Sequence, residues 1–195
     1  MTEVLLEITK KCKYGCSYCS TNASPDGEHK PFEEIIRELD SVEQIRTINI
    51  SGGEPLYHPQ IGEIIDYCLS LTEDVWVYSN QIRQLRFNSD IVKEVKVHAN
   101  VCVVPGKSVY IPKNVDQVHL LKLKHTGRGK ELPNTKITVS HNFEKNPVHN
   151  CENCNNIVFQ ADGKVVESPC KKDYNSCPSP LSTEDPYSLR SASGT

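Results

Sequence analysis

Short apolar segments alternate with amphipathic helical patterns over the first hundred residues of the chain. The segments rich in strand-forming residues are 4–9, 47–51, 74–79 and 96–104. Strands that are separated by helices pair in parallel, as βαβ units with right-handed crossovers. The alternation therefore predicts an α/β fold built on a parallel sheet.

The segments between these strands carry the apolar spacing of helices. In residues 31–42 the apolar side chains recur at helical intervals, and Pro31 suits the first turn. Residues 59–71 show the same spacing, and a weaker helical pattern covers residues 85–95. Both Cys68, on the apolar face of the second helix, and Cys102, within the fourth strand, are predicted to be buried as small hydrophobic residues.

The alternation thins out after the fourth strand. Residues 117–124 and 136–140 are further strand candidates, but the segments before them show no helical period. A closed eightfold (β/α) barrel takes about 250 residues, and only roughly half of that length precedes Cys151. The predicted core is therefore an open, partial (β/α) barrel over residues 1–145.

Three closely spaced cysteines follow the first predicted strand. Cys12, Cys16 and Cys19 form a C-x3-C-x2-C triplet, in a loop where Gly15 provides a place to turn. Structural zinc prefers four protein ligands, whereas a [4Fe-4S] cluster can be held by three cysteines with one iron left open. Because no His or Cys lies close after Cys19, the triplet favours an iron-sulfur cluster. A zinc knuckle with a distant fourth ligand and incidental cysteines are the alternatives.

This triplet, with Tyr18 before its last cysteine, resembles the cluster motif of the radical S-adenosylmethionine (SAM) superfamily. The second predicted strand ends in SGGEP, residues 51–55, which is similar to the GGEP motif of that family. Glycines let a ligand approach the backbone closely, and an acid pairs with an ammonium. The resemblance implies that Gly52, Gly53 and Glu54 bind the SAM amino group. Taken alone, the motif could also be an ordinary turn.

Two further segments resemble weaker features of the family. Ser79 and Asn80 end the third strand like the polar TNG-like segment that lines the SAM site, although Gln81 replaces the glycine. Polar residues at that point are also common helix N-caps. Arg128 lies in a basic TGRG segment, similar to the strand-end GR segment of cap-bearing members. In the functional interpretation Arg128 pairs with a carboxylate or phosphate of SAM or substrate, and in the other interpretation it belongs to a solvated loop.

Four more cysteines surround one predicted hairpin near the other end of the chain. They are Cys151, Cys154, Cys170 and Cys177, and the role of Cys177 as a ligand is left open. Residues 156–167 are predicted to form a hairpin, because Asp162-Gly163 suits a tight primed turn between apolar arms.

This second arrangement resembles the twitch and SPASM appendages of radical SAM enzymes and the cap of molybdenum-cofactor GTP cyclases. The resemblance implies an auxiliary [4Fe-4S] cluster, and a zinc ribbon is the alternative. We therefore predict a small cysteine-rich cap over residues 146–177, followed by a disordered Ser/Pro-rich tail over residues 178–195.

The resemblance implies an enzyme that cleaves SAM reductively to methionine and a 5′-deoxyadenosyl radical, which then abstracts hydrogen from a substrate. It also implies an electron donor of the flavodoxin or ferredoxin type. Peptide or protein modification is favoured by the open side of a truncated barrel. Rearrangement of a nucleotide or another small molecule is favoured by the cyclase-like cap and the basic loop. A non-catalytic iron-sulfur or zinc protein, used for electron transfer or partner binding, is the alternative from another class.

Charge and hydropathy exclude several other classes. The formal net charge of -3 gives no basic footprint for a nucleic-acid backbone. No apolar run approaches the roughly 18 residues of a membrane helix, and residues 1–3 lack the features of a signal peptide. Nine cysteines in such a chain point to metal or redox chemistry rather than to disulfides. We expect a soluble, cytoplasmic protein with an oxygen-sensitive centre.

Overall fold

A computed structural model of the protein describes residues 2–81, 96, 98–102, 104, 115–121, 127–131, 156–167 and 188–190. The strands are β1 (Thr2–Glu7), β2 (Ile45–Ser51), β3 (Asp74–Val77), β4 (His98–Cys102), β5 (Gln117–Leu121), β6 (Asn156–Phe159), β7 (Val165–Glu167) and β8 (Ser188–Arg190). The helices are α1 (Phe32–Asp40) and α2 (Ile61–Leu71), and short 3-10 turns cover Pro55–Tyr57 and Gly127–Glu131. The first four predicted strands and the two stronger predicted helices are confirmed, with ends that differ by at most two residues.

The strands β1, β2 and β3 form the parallel sheet that the sequence predicts. β1 pairs with β2, and β2 pairs with β3, while α1 and α2 make the connections. β1 buries alternate residues, Val4 and Leu6, whereas β2 buries residues 47–50 without interruption. Continuous burial is typical of a strand that is covered on both faces. The α/β core is thus confirmed, and the carboxyl ends of its three parallel strands lie at one edge of the sheet.

The two helices cover the sheet with their apolar faces. α1 buries Ile35 and Leu39, and α2 buries Ile64 and Cys68. Cys68 is buried, as predicted. Burial raises the pKa of its thiol to about 12, so the thiol stays neutral. The side chain of Cys102 lies outside the described part of the structure. Neither described helix is long and apolar enough to cross a membrane.

The hairpin of the second half of the chain belongs to the same sheet as β1. β6 and β7 are antiparallel, as predicted, and β6 pairs in parallel with β1. The strand order is therefore β3-β2-β1-β6-β7. The turn is longer than the predicted two-residue turn, because the Gly163 N–H donates to the Gln160 carbonyl (3.0 Å) and Gly163 has a φ of +78°. Gly163 thus occupies the left-handed bulge position at the end of a three-residue loop.

A second sheet contains β4, β5 and β8. β4 and β5 pair in parallel, and β8 pairs with β5 in the antiparallel direction. The rings of Trp76 in β3 and His98 in β4 have centroids 4.8 Å apart, so β4 begins beside β3. β8 lies within residues 178–195, where the sequence predicts a disordered tail, and disorder of that tail stays a prediction. The predicted helix 85–95 and strand 136–140 lie outside the described residues.

Candidate cluster and cofactor site

The three motifs of the first half meet at the carboxyl edge of the parallel sheet. The cysteine loop (residues 12–24) follows β1, the Gly-Gly-Glu turn (residues 52–54) follows β2, and Ser79 follows β3. Backbone hydrogen bonds join the first two motifs: the Gly53 N–H donates to the Thr9 carbonyl (2.6 Å), and the Glu54 N–H donates to the Lys11 carbonyl (2.9 Å). Convergence at one edge is what the parallel topology predicts.

The glycines of the Gly-Gly-Glu turn make room for the protein's own backbone. A Cβ at Gly52 would lie 2.4 Å from the Thr9 carbonyl oxygen, and a Cβ at Gly53 would lie 2.3 Å from the Lys11 carbonyl oxygen. Glycine indicates a close approach to the backbone but not which group approaches. The role of Gly52 and Gly53 in SAM binding stays a prediction.

Glu54 is a buried carboxylate that is held by three neutral donors. Glu54 is only 1% exposed to solvent. Oε1 accepts hydrogen bonds from the Ser79 hydroxyl (2.6 Å) and the Leu56 N–H (3.2 Å), and Oε2 accepts one from the Asn80 N–H (3.0 Å). In the part of the chain that the structure describes, no basic side chain forms an ion pair with Glu54. A buried carboxylate in such a setting is suited to a cationic ligand, because a cation would balance its charge.

Ser79 and Asn80 therefore have a contact that the sequence did not predict. Both were expected to line the SAM site, and the structure shows them binding the carboxylate of Glu54. The two interpretations are compatible, since residues that orient Glu54 lie at the same edge as any ligand of Glu54.

Two buried polar atoms, in residues that adjoin Glu54 or its partner Ser79, have no hydrogen-bond partner among the described residues. They are the hydroxyl oxygen of Tyr57 and the side-chain nitrogen of Gln81. The Tyr57 N–H donates to the Glu54 carbonyl (3.0 Å), and the Gln81 N–H donates to the Ser79 hydroxyl (2.8 Å), so both residues adjoin the carboxylate and its partners. Buried polar groups are nearly always paired with protein, water or ligand. These two atoms fit a polar ligand at this edge. Sequence reasoning missed Tyr57 and noted Gln81 only as a departure from the motif.

The cysteine loop is closed at its base. The Cys12 N–H donates to the Ser24 carbonyl (2.8 Å), and the Ser24 N–H donates to the Lys10 carbonyl (3.0 Å). Gly15 has a φ of +60°, which confirms the predicted turn. Tyr18, before the last cysteine, is 36% exposed.

All three cysteines of the loop are free thiols, but their environments differ. Burial raises the pKa of Cys12. Burial also favours the neutral thiol of Cys19, but the Thr21 hydroxyl, which lies 3.4 Å from the sulfur, backbone N–H groups and the charge of Arg128 outweigh burial and lower the pKa of Cys19. The thiolate is the form that binds metal.

The donor set of the loop fits a cluster with three thiolate ligands and one open iron. Among the residues with described side chains, however, no three His, Cys, Asp or Glu side chains are gathered closely enough to hold a metal ion. The loop therefore brings the right ligand types to the edge of the sheet without a preformed coordination geometry.

Arg128 binds the cysteine loop from a distant part of the chain. Its Nε donates to the Cys16 carbonyl (2.9 Å), its Nη1 donates to the Ala23 carbonyl (2.9 Å), and its backbone N–H donates to the Cys19 carbonyl (2.9 Å). The sequence interpretation paired this guanidinium with SAM or substrate. That pairing stays a prediction, and the contacts that the structure shows are with the loop.

The second predicted centre lies outside the described residues, which do not include Cys151, Cys154, Cys170 or Cys177. The hairpin that these cysteines flank in sequence is described. Its turn lies beside the end of β1, where Asp162 forms an ion pair with Lys10 (3.2 Å) and the Ala161 N–H donates to Glu7 Oε2 (3.4 Å). The turn of the hairpin thus adjoins the segment that leads to the cysteine loop.

Comparison with known proteins identifies a family for the part of the chain that forms this edge of the sheet. A family model described as the radical SAM superfamily matches residues 6–105. The match includes the cysteine triplet, the Gly-Gly-Glu turn and the end of β3.

Three relatives illustrate the range of similar proteins. An S-adenosylmethionine-dependent nucleotide dehydratase of Selenomonas ruminantium is 33% identical over 67 residues, which cover 33% of this chain and 24% of the relative. A protein described as a probable GTP 3′,8-cyclase of Pyrococcus abyssi is 37% identical over 68 residues, 33% of this chain and 22% of the relative. A PqqA peptide cyclase of Bradyrhizobium diazoefficiens is 31% identical over 84 residues, 40% of this chain and 21% of the relative. The chain thus spans about a quarter or less of the length of each of these three proteins.

Proposed function

The chain belongs to the radical SAM superfamily, and on that premise we propose that it is a radical SAM enzyme whose cysteine loop holds a [4Fe-4S] cluster and whose Gly-Gly-Glu turn binds SAM. The observation that carries this proposal is Glu54, a buried carboxylate with three neutral donors and no ion pair among the described residues. The ammonium of SAM is a cation that would balance this charge.

When bound, the cluster and SAM together supply the electron transfer and the 5′-deoxyadenosyl radical that abstracts hydrogen. The protein supplies three thiols from one loop, and its backbone sets their distance from Glu54. Ser79 and Asn80 orient the Glu54 carboxylate. The Tyr57 hydroxyl and the Gln81 side-chain nitrogen, which have no hydrogen-bond partner in the described part of the chain, would offer further hydrogen bonds to the ligand. The reducing electron would come from a donor of the flavodoxin or ferredoxin type.

The proposal is tested by anaerobic incubation of the iron-loaded protein with SAM and dithionite. We expect 5′-deoxyadenosine and methionine in equal amounts, measured by liquid chromatography and mass spectrometry. If the iron-loaded protein yields neither product, the proposed enzymatic activity is refuted, and a non-catalytic iron-sulfur protein is favoured.

For the substrate class, we favour a peptide or protein. The PqqA peptide cyclase is the relative that supports this choice, with the longest of the three alignments. Nucleotide rearrangement is the second candidate, because the nucleotide dehydratase and the probable GTP cyclase are also similar to part of this chain. GTP is a direct probe: a rise in 5′-deoxyadenosine on adding GTP would favour the nucleotide candidate.

We further propose that the core is an open, partial (β/α) barrel and that the cysteines around the hairpin hold a second centre. The described hairpin enters the sheet at Asn156 and leaves it at Glu167, beside the amino end of β1. The cysteine loop follows the carboxyl end of β1. The four cysteines that flank the hairpin in sequence supply the ligand type that such a centre requires.

Iron analysis tests the second centre. We expect anaerobic reconstitution to give about eight irons per chain, because two clusters would each hold four. A result of about four irons and one zinc would refute the auxiliary cluster and would leave the first cluster untouched.

A further inference from the structure

We propose that Arg128 is a positioning residue that fixes the shape of the cysteine loop from the Gly127–Glu131 turn. Two separate observations carry this inference: the hydrogen bonds of Arg128, and the close contact that Gly127 permits. The contact of Arg128 and Gly127 with the cysteine loop exists in the protein without a bound cluster. The effect of this contact on cluster binding rests on the proposed function.

The guanidinium of Arg128 joins two points of the loop. Its Nε and Nη1 donate to the carbonyls of Cys16 and Ala23, which lie on either side of the loop tip (residues 17–22). A guanidinium is planar and presents its N–H groups in a fixed fork, so it holds two acceptors at a set separation. Lysine has the same charge but no such fork, and it cannot replace both bonds in this geometry.

Gly127 brings the turn against the loop more closely than any other residue could. It has a φ of +54°, and a Cβ at this position would lie 2.4 Å from the Cys19 carbonyl oxygen and 2.6 Å from the Ser20 carbonyl oxygen. The adjacent Arg128 N–H donates to that same Cys19 carbonyl (2.9 Å). An alanine here would force the turn away from the loop and lengthen this bond.

These contacts act on the last two cysteines of the triplet. The carbonyls of both Cys16 and Cys19 are bound by Arg128, whereas Cys12 is fixed at the base of the loop by its bond to Ser24. The tip itself is largely exposed and has little apolar packing. Loss of the Arg128 contacts would therefore release the tip while the base of the loop and the sheet remain in place.

Amide hydrogen exchange of the cluster-free protein tests the structural part. In Arg128→Lys and Gly127→Ala we expect exchange in peptides covering residues 16–24 to become about tenfold faster, as loss of a charge-assisted hydrogen bond implies. Peptides from β1 and β2 should exchange as in the wild type. The matched control is Lys130→Gln, which removes an exposed charge from the same turn and should leave the loop unchanged.

Resistance of the reconstituted cluster to an iron chelator tests the consequence. We expect both Arg128→Lys and Gly127→Ala to lose iron about tenfold faster than the wild type and Lys130→Gln. Gly127→Ala keeps the guanidinium, so a common effect in both variants identifies the contact with the loop as the cause.

Amide exchange rates in both variants that equal those of the wild type would overturn the proposal. This holds even if SAM affinity falls in the variants, because Arg128 would then act on the ligand and not on the cysteine loop. A wild-type protein that binds no iron would refute the proposed function. The exchange experiment would still decide the role of Arg128 in that case.

Discussion

Replacing Cys16 by alanine is expected to abolish both cluster binding and SAM cleavage. Three thiolates are the minimum that hold a [4Fe-4S] cluster with one open iron, and the variant retains only Cys12 and Cys19 in the loop. Iron and sulfide analysis after reconstitution should show loss of the first cluster, and 5′-deoxyadenosine should fall below detection. Retention of 5′-deoxyadenosine formation would refute the central proposal.

The structure separates this effect from a folding defect. Cys16 is half-buried, and the group that Arg128 binds is its backbone carbonyl, which alanine keeps. The matched control is Cys68→Ala, which also removes one thiol. Cys68 is buried in α2, so this variant should lose some stability but keep its iron and its activity.

Replacing Glu54 by glutamine is expected to weaken SAM binding by about ten- to a hundredfold while the first cluster remains. This range corresponds to about 1.5–3 kcal/mol for a lost charged hydrogen bond. Titration of the reconstituted variant with SAM, followed by the electron paramagnetic resonance signal of the cluster, measures the change. An unchanged dissociation constant, with unchanged iron content, would show that the Gly-Gly-Glu turn is not the SAM site.

The contacts of Glu54 define the control for that experiment. The side-chain oxygen of glutamine can take the place of Oε1. Its side-chain NH2 group then faces the Asn80 N–H, and both groups are donors. One buried hydrogen bond is therefore lost, at a cost of about 1–3 kcal/mol in stability. Ser79→Ala also removes one hydrogen bond of Glu54 but leaves its charge intact. If charge is what binds SAM, Ser79→Ala should lose less SAM affinity than Glu54→Gln.

Periodicity accounts for what the sequence could predict of the fold. The alternation of β1 and the helical spacing of α1 and α2 depend on local geometry, so the first four strands and the two stronger helices were predicted to within two residues. Parallel strands that are joined by helices place their carboxyl ends together, so the meeting of the cysteine loop and the Gly-Gly-Glu turn followed as well.

The remaining features depend on which segments become neighbours, and periodicity does not encode that. The pairing of β6 with β1 could not be predicted, because an alternating strand shows which face is buried but not which strand lies beside it. For the same reason the sequence did not predict that the backbone of Thr9 and Lys11 lies against Gly52 and Gly53. The partners of Arg128 were missed because they are backbone carbonyls, which leave no trace in residue identity.

The parallel pairing of β1 with β6 has a consequence for the synthesis of the chain. β1 is translated before one of its two neighbours, β6, which begins only at Asn156. Contacts between segments so far apart in sequence form slowly, and an unpaired strand edge is open to wrong pairing until its partner arrives. The edge of β1 that β6 covers in the folded protein therefore stays open until the chain has been translated through Phe159.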